Sequence, residues 1–124
     1  ITWPRHCVVD TDGAGFIPAF NAKALEERVQ LANIGADNDV PDYNPFYDPE
    51  FYKFMSERAP ETIYVTGIAL EYCVLATCLA AQAYSNKVIA LEDYIQSAKA
   101  DQANIAWHLL ENSGVERRKG NPFA

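Results

Sequence analysis

The sequence is short of positive charge. Its 10 Lys and Arg stand against 17 Asp and Glu, which gives a net charge of -7 at pH 7. Because nucleic-acid binding needs Lys and Arg clustered on one face, this balance argues against a nucleic-acid partner. The one basic run, Arg117-Arg118-Lys119, is short, and we interpret it as a solvated segment.

Long apolar runs are also missing, and no targeting signal is predicted. The longest apolar segment, residues 73–83, is interrupted by Thr77 and Gln82, whereas a membrane helix needs about 18 apolar residues, so no membrane span is predicted. The chain starts at Ile1 without the charged and apolar regions of a signal peptide. No G-x-G-x-x-G motif follows a predicted strand, which disfavours a dinucleotide-binding module.

Cysteine is scarce as well. The three cysteines, Cys7, Cys73 and Cys78, form an odd set with neither a CxxC pair nor a zinc-binding spacing. This set argues against a disulfide framework and for a reducing intracellular compartment, either the cytoplasm or an organellar matrix.

What the second half of the chain does contain is two successive units of a strand and a helix. β-Branched and aromatic residues mark the strands, and residues at spacings of three and four, apolar except for Asn112, mark the helices. The helical stripes are Val74, Cys78 and Ala81 in the first helix, and Ile105, Leu109 and Asn112 in the second. We predict strands at 61–67 and 87–91, helices at 71–84 and 98–112, a helix end at Ser113-Gly114 and an edge strand from Val115. This alternation builds a parallel sheet with right-handed crossovers in a single α/β domain.

The first half is predicted to be mostly loop, with a turn at Thr11-Asp12-Gly13. Its regular pieces are a helical turn at 24–30, a short strand at 29–34, and a helix at 49–59 that Pro60 ends. The Asp-rich segment 37–48 is interpreted as a solvated surface rather than a metal site.

Cys73 stands where a parallel sheet binds its ligands, because residues 67–74 join the end of the first predicted strand to the next helix. A thiol in the first turn of a helix lies near unpaired N–H groups and the positive end of the helix dipole, which favour the thiolate. Cys73 is therefore a candidate nucleophile. On these grounds alone the alternative stays open, that it is a buried Cys acting as a small hydrophobic residue.

Three ordered segments carry a more specific pattern. They are Trp3-Pro4-Arg5-His6-Cys7-Val8 with Thr11-Asp12-Gly13-Ala14, Gly35-Ala36-Asp37 with Tyr43-Asn44-Pro45-Phe46, and Gly67-Ile68-Ala69-Leu70-Glu71-Tyr72-Cys73-Val74. In this order and spacing they resemble the motifs of nicotinamidases, cysteine hydrolases of the isochorismatase-like superfamily, and the last is closer to the eukaryotic type. The resemblance implies an α/β fold with a partial three-layer parallel sheet of the isochorismatase-like type that lacks the N-terminal strands, and a single truncated domain at 1–124. Other protein chains or self-association are expected to cover the sheet edge left open.

The resemblance also implies an amide hydrolase that converts nicotinamide to nicotinate and ammonia through a Cys, Lys and Asp triad. Carried over, Cys73 is the nucleophile, and a cis peptide between Ile68 and Ala69 lies beside the oxyanion hole. Trp3 and Tyr72 match walls of the substrate pocket, although Trp3 is also interpretable as a core residue.

His6 matches a ligand of the divalent metal, such as zinc, that the family binds. One His cannot hold a metal alone, so no cofactor is expected in this chain, and His6 is also interpretable as a hydrogen-bonded loop histidine.

Ile34 departs from the family pattern, because it stands immediately before Gly35, where the family has its catalytic Lys. Asn44 replaces a Ser, and the catalytic Asp and the other metal ligands lie, in family members, upstream of the Trp-Pro motif. Two hypotheses follow. The chain is a degenerate pseudoenzyme kept as a structural or assembly subunit, or it is an active hydrolase whose missing part is supplied elsewhere. The apolar side chain of Ile34 favours the first.

Overall fold

The computed structural model describes residues 4–16, 30–35 and 43–123. The chain divides into two compact units, residues 1–31 and 32–124. In the first unit, the turn predicted at Thr11 is confirmed as a 3₁₀ turn, Asp12–Ala14, closed by an N–H from Ala14 to the Thr11 carbonyl oxygen at 3.1 Å. Trp3, most of the predicted helical turn at 24–30 and the first half of the Asp-rich segment 37–48 lie outside the described residues.

The second unit is built on a three-stranded parallel sheet in the order β1-β2-β3. Its strands are β1 (Ile63–Ile68), β2 (Val88–Gln96) and β3 (Glu116–Arg118). Its helices are α1 (Pro49–Arg58), α2 (Leu75–Ala81, continuing a π-helical turn over Leu70–Val74) and α3 (Ala100–Ser113). The predicted strands are therefore confirmed as adjacent and parallel, with the predicted edge strand beside them.

The short strand predicted at 29–34 is wrong for its described part, since residues 30–34 form no strand. A strand is held by ladder hydrogen bonds to a neighbour, and none of the described strands pairs with this segment. Residues with β propensity are not enough without such a partner.

The pairing of β1 with β2 is irregular near its carboxyl end. Val65 pairs with Ala90, yet Gly67 pairs with Ile95, so β2 carries extra residues at this point. Gly67 has a φ of 115°, a conformation that residues with a Cβ rarely adopt. The irregularity extends β2 to Gln96, beyond the predicted end at Leu91.

The main core lies between one face of the sheet and the two following helices. In the first helical segment the predicted stripe is confirmed, because Val74, Cys78 and Ala81 are all buried. The buried members of the cluster are Val65, Leu70, Val74, Cys78, Ala81, Val88, Ala90, Ile95, Ala106, Trp107, Leu110 and Val115.

The stripe noted in the second helix marked the helix but not its buried face. Ile105 is 62% exposed and Leu109 50% exposed, whereas Ala106, Trp107 and Leu110 are buried. Both sets satisfy a spacing of three or four residues, so periodicity does not separate them. Trp107 decides the orientation because it brings the largest apolar surface, and Arg117 covers its ring with the guanidinium 4.4 Å from the ring centroid.

Helix α1 and the turn before it are fastened by capping and by aromatic contacts. Asp48 accepts hydrogen bonds from the N–H groups of Glu50 (2.9 Å) and Phe51 (3.4 Å), as an N-cap does. Phe46, in the turn Pro45–Tyr47, stacks on Tyr84 after α2 with ring centroids 4.6 Å apart. None of the helices in the described part of the chain has the length and apolar character of a membrane span.

Candidate active site

Cys73 lies in the first helical turn after β1, as predicted. β1 ends at Ile68, Ala69 follows, and the π-helical turn Leu70–Val74 begins. The N–H groups of Tyr72 and Val74 both donate to the Ala69 carbonyl oxygen, at 3.0 and 3.1 Å. The peptide bond between Ile68 and Ala69 is cis, which confirms the geometry predicted for it. We call residues 67–74 the elbow.

The environment of Cys73 differs from that of the neighbouring cysteine. Cys73 is half-buried at the carboxyl end of β1, close to the N-terminal N–H groups of its helix. Cys78 is fully buried, and burial raises the pKa of its thiol to about 12. Of the two, Cys78 fits the small hydrophobic residue, and Cys73 fits a thiol that can meet a ligand.

Glu71 is a site residue that the sequence did not reveal as one. Its carboxylate accepts hydrogen bonds from the Ser97 hydroxyl (2.7 Å) and from the N–H groups of Ala98 (2.7 Å) and Lys99 (2.8 Å). Partial burial raises the pKa of Glu71, but the hydrogen bonds from these donors lower it by more. The net result is a pKa below the ordinary value. The motif showed an acidic residue at this position, but its partners lie 26 to 28 residues away in the sequence.

Tyr72, a predicted substrate-pocket residue, forms an aromatic pair with Tyr43. The two ring centroids are 5.9 Å apart and the planes are tilted by 41°. Asn44 keeps the adjoining turn closed, because its side-chain oxygen accepts from the N–H of Phe46 at 2.9 Å. Asn44 therefore supplies a local cap to this turn. The sequence motif that contains Tyr43 does not indicate this contact with Tyr72.

His6 belongs to the first unit, where its Nδ1 lies 2.6 Å from the Pro4 carbonyl oxygen. A metal would then have to be bound through Nε2. Among residues 4–16, 30–35 and 43–123 there is no group of three His, Cys, Asp or Glu side chains that could hold a metal ion. The described donor set therefore does not fit a metal centre.

Ile34, which stands at the position of the family's catalytic Lys, is 40% exposed.

These features define a class of protein: a parallel α/β fold with a cysteine at the elbow between a strand and the following helix. Within that class, the model of the isochorismatase domain family matches residues 1–118. The chain belongs to this family, in the nicotinamidase and isochorismatase-like superfamily.

The curated relatives are nicotinamidases. The nicotinamidase of Saccharomyces cerevisiae is 28% identical over 107 residues, which cover 82% of this chain and 50% of the relative. The nicotinamidase/pyrazinamidase of Mycobacterium tuberculosis is 28% identical over 116 residues, covering 93% of this chain and 62% of the relative. The chain thus spans about half to three-fifths of the length of these two relatives.

Solved structures show the same fold. The pyrazinamidase of Pyrococcus horikoshii, determined in complex with zinc, superposes with a TM-score of 0.81 at 28% identity, covering 96% of this chain and 64% of the other. The yeast nicotinamidase bound to the inhibitor nicotinaldehyde gives a TM-score of 0.83 over 95% of this chain and 58% of the other; at 22% identity it speaks for the fold alone.

Proposed function

We propose that this chain is a degenerate nicotinamidase-like domain that keeps the elbow of Cys73 but hydrolyses amides at no appreciable rate, and that it serves as a structural or assembly subunit. The observation that carries the proposal is Ile34, at the position of the family's catalytic Lys. An alkyl side chain cannot offset the negative charge of a thiolate or of the oxygen that develops charge during attack.

The chemistry at stake is acyl transfer to a thiol. The Cys73 sulfur would attack the carboxamide carbon to form a tetrahedral intermediate, and the thiol proton would pass to the nitrogen. The C–N bond would then break, releasing ammonia and leaving a thioester, which water would hydrolyse to the acid and the free thiol. N–H groups of the elbow are suited to hold the oxyanion. The proton transfers need a base, which the family supplies as an Asp. With the apolar Ile34 at the position of the family's Lys, the positive charge beside the sulfur is missing.

A second candidate is an active amide hydrolase whose remaining catalytic groups come from elsewhere. The half-buried Cys73 in the first helical turn favours it, because that is where a thiolate is stabilised. The tilted Tyr43 and Tyr72 rings suit a flat aromatic amide such as nicotinamide.

Ammonia release from nicotinamide tests both candidates. The purified chain is assayed with and without added Zn²⁺, beside Cys73→Ala and the matched control Cys7→Ala, whose cysteine is exposed in the first unit. We expect release at the level of the buffer in all three proteins. Turnover that Cys73→Ala abolishes and Cys7→Ala retains would overturn the degenerate assignment and establish the hydrolase.

A further inference from the structure

The elbow is tied to a distant loop by one side chain. Glu71, two residues before Cys73, reaches the segment between β2 and α3. Its Oε1 accepts from the N–H groups of Ala98 and Lys99, and its Oε2 accepts from the Ser97 hydroxyl. Three donors on consecutive residues therefore converge on one carboxylate. Hydrogen bonds to an ionised acceptor are among the stronger ones in proteins.

Helix α3 has no capping side chain of its own, and Glu71 supplies the cap from another element. Its N-cap position is Lys99, whose side chain makes no capping hydrogen bond, because an ammonium group cannot accept one. The N–H of an N-cap residue is one of the groups that the start of a helix leaves without an intrahelical partner. Glu71 satisfies it from another element, and its negative charge lies at the positive end of α3.

We propose that Glu71 is a positioning residue: its carboxylate fixes the elbow against the start of α3 and thereby sets the exposure of the Cys73 thiol. The inference rests on the proposed function only in placing Cys73 at the site, and it does not depend on turnover. The effect is local. Leu70 and Val74, on either side of Glu71 and Cys73, are each only 2% exposed, so the helix remains anchored in the core when the carboxylate is removed.

The three cysteines supply the measurement. Cys7 is exposed, Cys73 half-buried and Cys78 buried, so alkylation by iodoacetamide followed by peptide mass spectrometry reports on a reference thiol, the elbow and the core in one experiment. The reaction is run at about pH 9.5, above the ordinary thiol pKa, where access rather than ionisation limits the rate. The variants are Glu71→Ala and its control Glu71→Gln. The Gln side chain has the same length, its oxygen can accept from Ala98 and Lys99, and its amide can donate to the Ser97 hydroxyl oxygen.

We expect Cys73 in Glu71→Ala to react about threefold or more faster relative to Cys7 than in the unmodified chain, because three hydrogen bonds to a charged group no longer hold the elbow. Glu71→Gln should restore the rate to within about twofold. Cys78 should stay protected throughout. An unchanged Cys73 rate in Glu71→Ala, or an equal increase in Glu71→Gln, overturns the proposal.

If Glu71→Ala unfolds, Cys78 becomes labelled, and Ser97→Ala then carries the test. That variant removes one of the three donors and keeps the two N–H groups. A smaller but measurable increase in Cys73 labelling, with Cys78 protected, supports the proposal, and no increase overturns it. The labelling rates do not depend on whether the chain releases ammonia from nicotinamide. The two proposals are therefore tested separately.

Discussion

Cys73 and Cys78 lie five residues apart on one helical segment, and their surroundings give them different chemistry. Cys78 contacts only the core, so its thiol is protected from solvent and held in the neutral form. Cys73 lies in the helical turn that follows the end of the strand and is half-buried, so its thiol is within reach of solvent. The residue type alone could not distinguish them, whereas their distance from the end of β1 does.

The buried thiol of Cys78 should make stability depend on pH in the alkaline range. Burial raises its pKa from 9.0 to about 12, so between these values the folded chain holds a proton that the unfolded chain has lost. Stability falls with pH wherever the folded state holds more protons; the contribution is fully present below about pH 9 and is lost as the pH rises to about 12. We expect urea unfolding to show a steeper loss over this range in the unmodified chain than in Cys78→Ala.

Other groups titrate in the same range, so the comparison between variants carries the result. Tyr84, whose pKa is raised by burial and by the nearby Tyr52, is present in every variant and cancels in the difference. Cys7→Ala serves as the control, because Cys7 is exposed and should leave the pH dependence unchanged. Parallel curves for the unmodified chain and Cys78→Ala would contradict the prediction.

Ile34 gives a second prediction at the level of one residue. Members of a catalytic unit act together, so restoring one of several recovers little activity. We expect Ile34→Lys by itself to leave ammonia release at the level of Cys73→Ala. An N-terminal segment carrying the family's Asp, added to Ile34→Lys, is expected to raise release above that level. Turnover by Ile34→Lys alone would mean that residue 34 was the one missing component.

At the level of elements, the sequence identified what local chemistry determines. β-Branched runs located β1 and the start of β2, and helical spacing with Gly114 located α3 and its end. The remainder depends on contacts that are distant in sequence. Glu92, Asp93 and Gln96 are residue types that a parallel strand seldom contains. This part of the chain belongs to β2 because Ile95 and Gln96 pair with Gly67 and Ile68 beyond the bulge in β2. The role of Glu71 likewise depends on donors supplied by another loop.

The end of α3 offers a prediction about one element. Gly114 has a φ of 102°, and its N–H donates to the Glu111 carbonyl oxygen at 3.1 Å. A Cβ there would lie 3.7 Å from Gln82 Nε2, an ordinary contact, so the cost of a side chain is conformational. We expect Gly114→Ala to lower the free energy of unfolding by about 1 kcal/mol, and Gly114→Asn by less, because Asn tolerates this conformation better. Chemical denaturation measures both, and an equal loss would argue against this origin.

At the scale of the whole molecule, the β1 edge of the sheet has no strand partner among residues 4–16, 30–35 and 43–123. Within that part of the chain β1 is hydrogen-bonded to β2 alone, so the backbone groups on its other edge are not used in the described sheet. Open strand edges pair readily with other chains unless a charge or an irregularity prevents it. An assembly subunit needs such a surface, and this edge is the one that the proposed function would use.

We therefore expect the purified chain to associate, with itself when no partner is present. Sedimentation should give a mass above the 13.8 kDa of one chain, increasing with concentration. Thr66→Lys places a charge on β1 at an exposed position and should reduce association, because a lysine on an edge strand opposes pairing. Asn104→Lys adds the same charge at an exposed position on α3, and should leave association unchanged. A compact monomer at all concentrations would contradict the prediction, and equal effects of the two lysines would assign the association to overall charge rather than to the β1 edge.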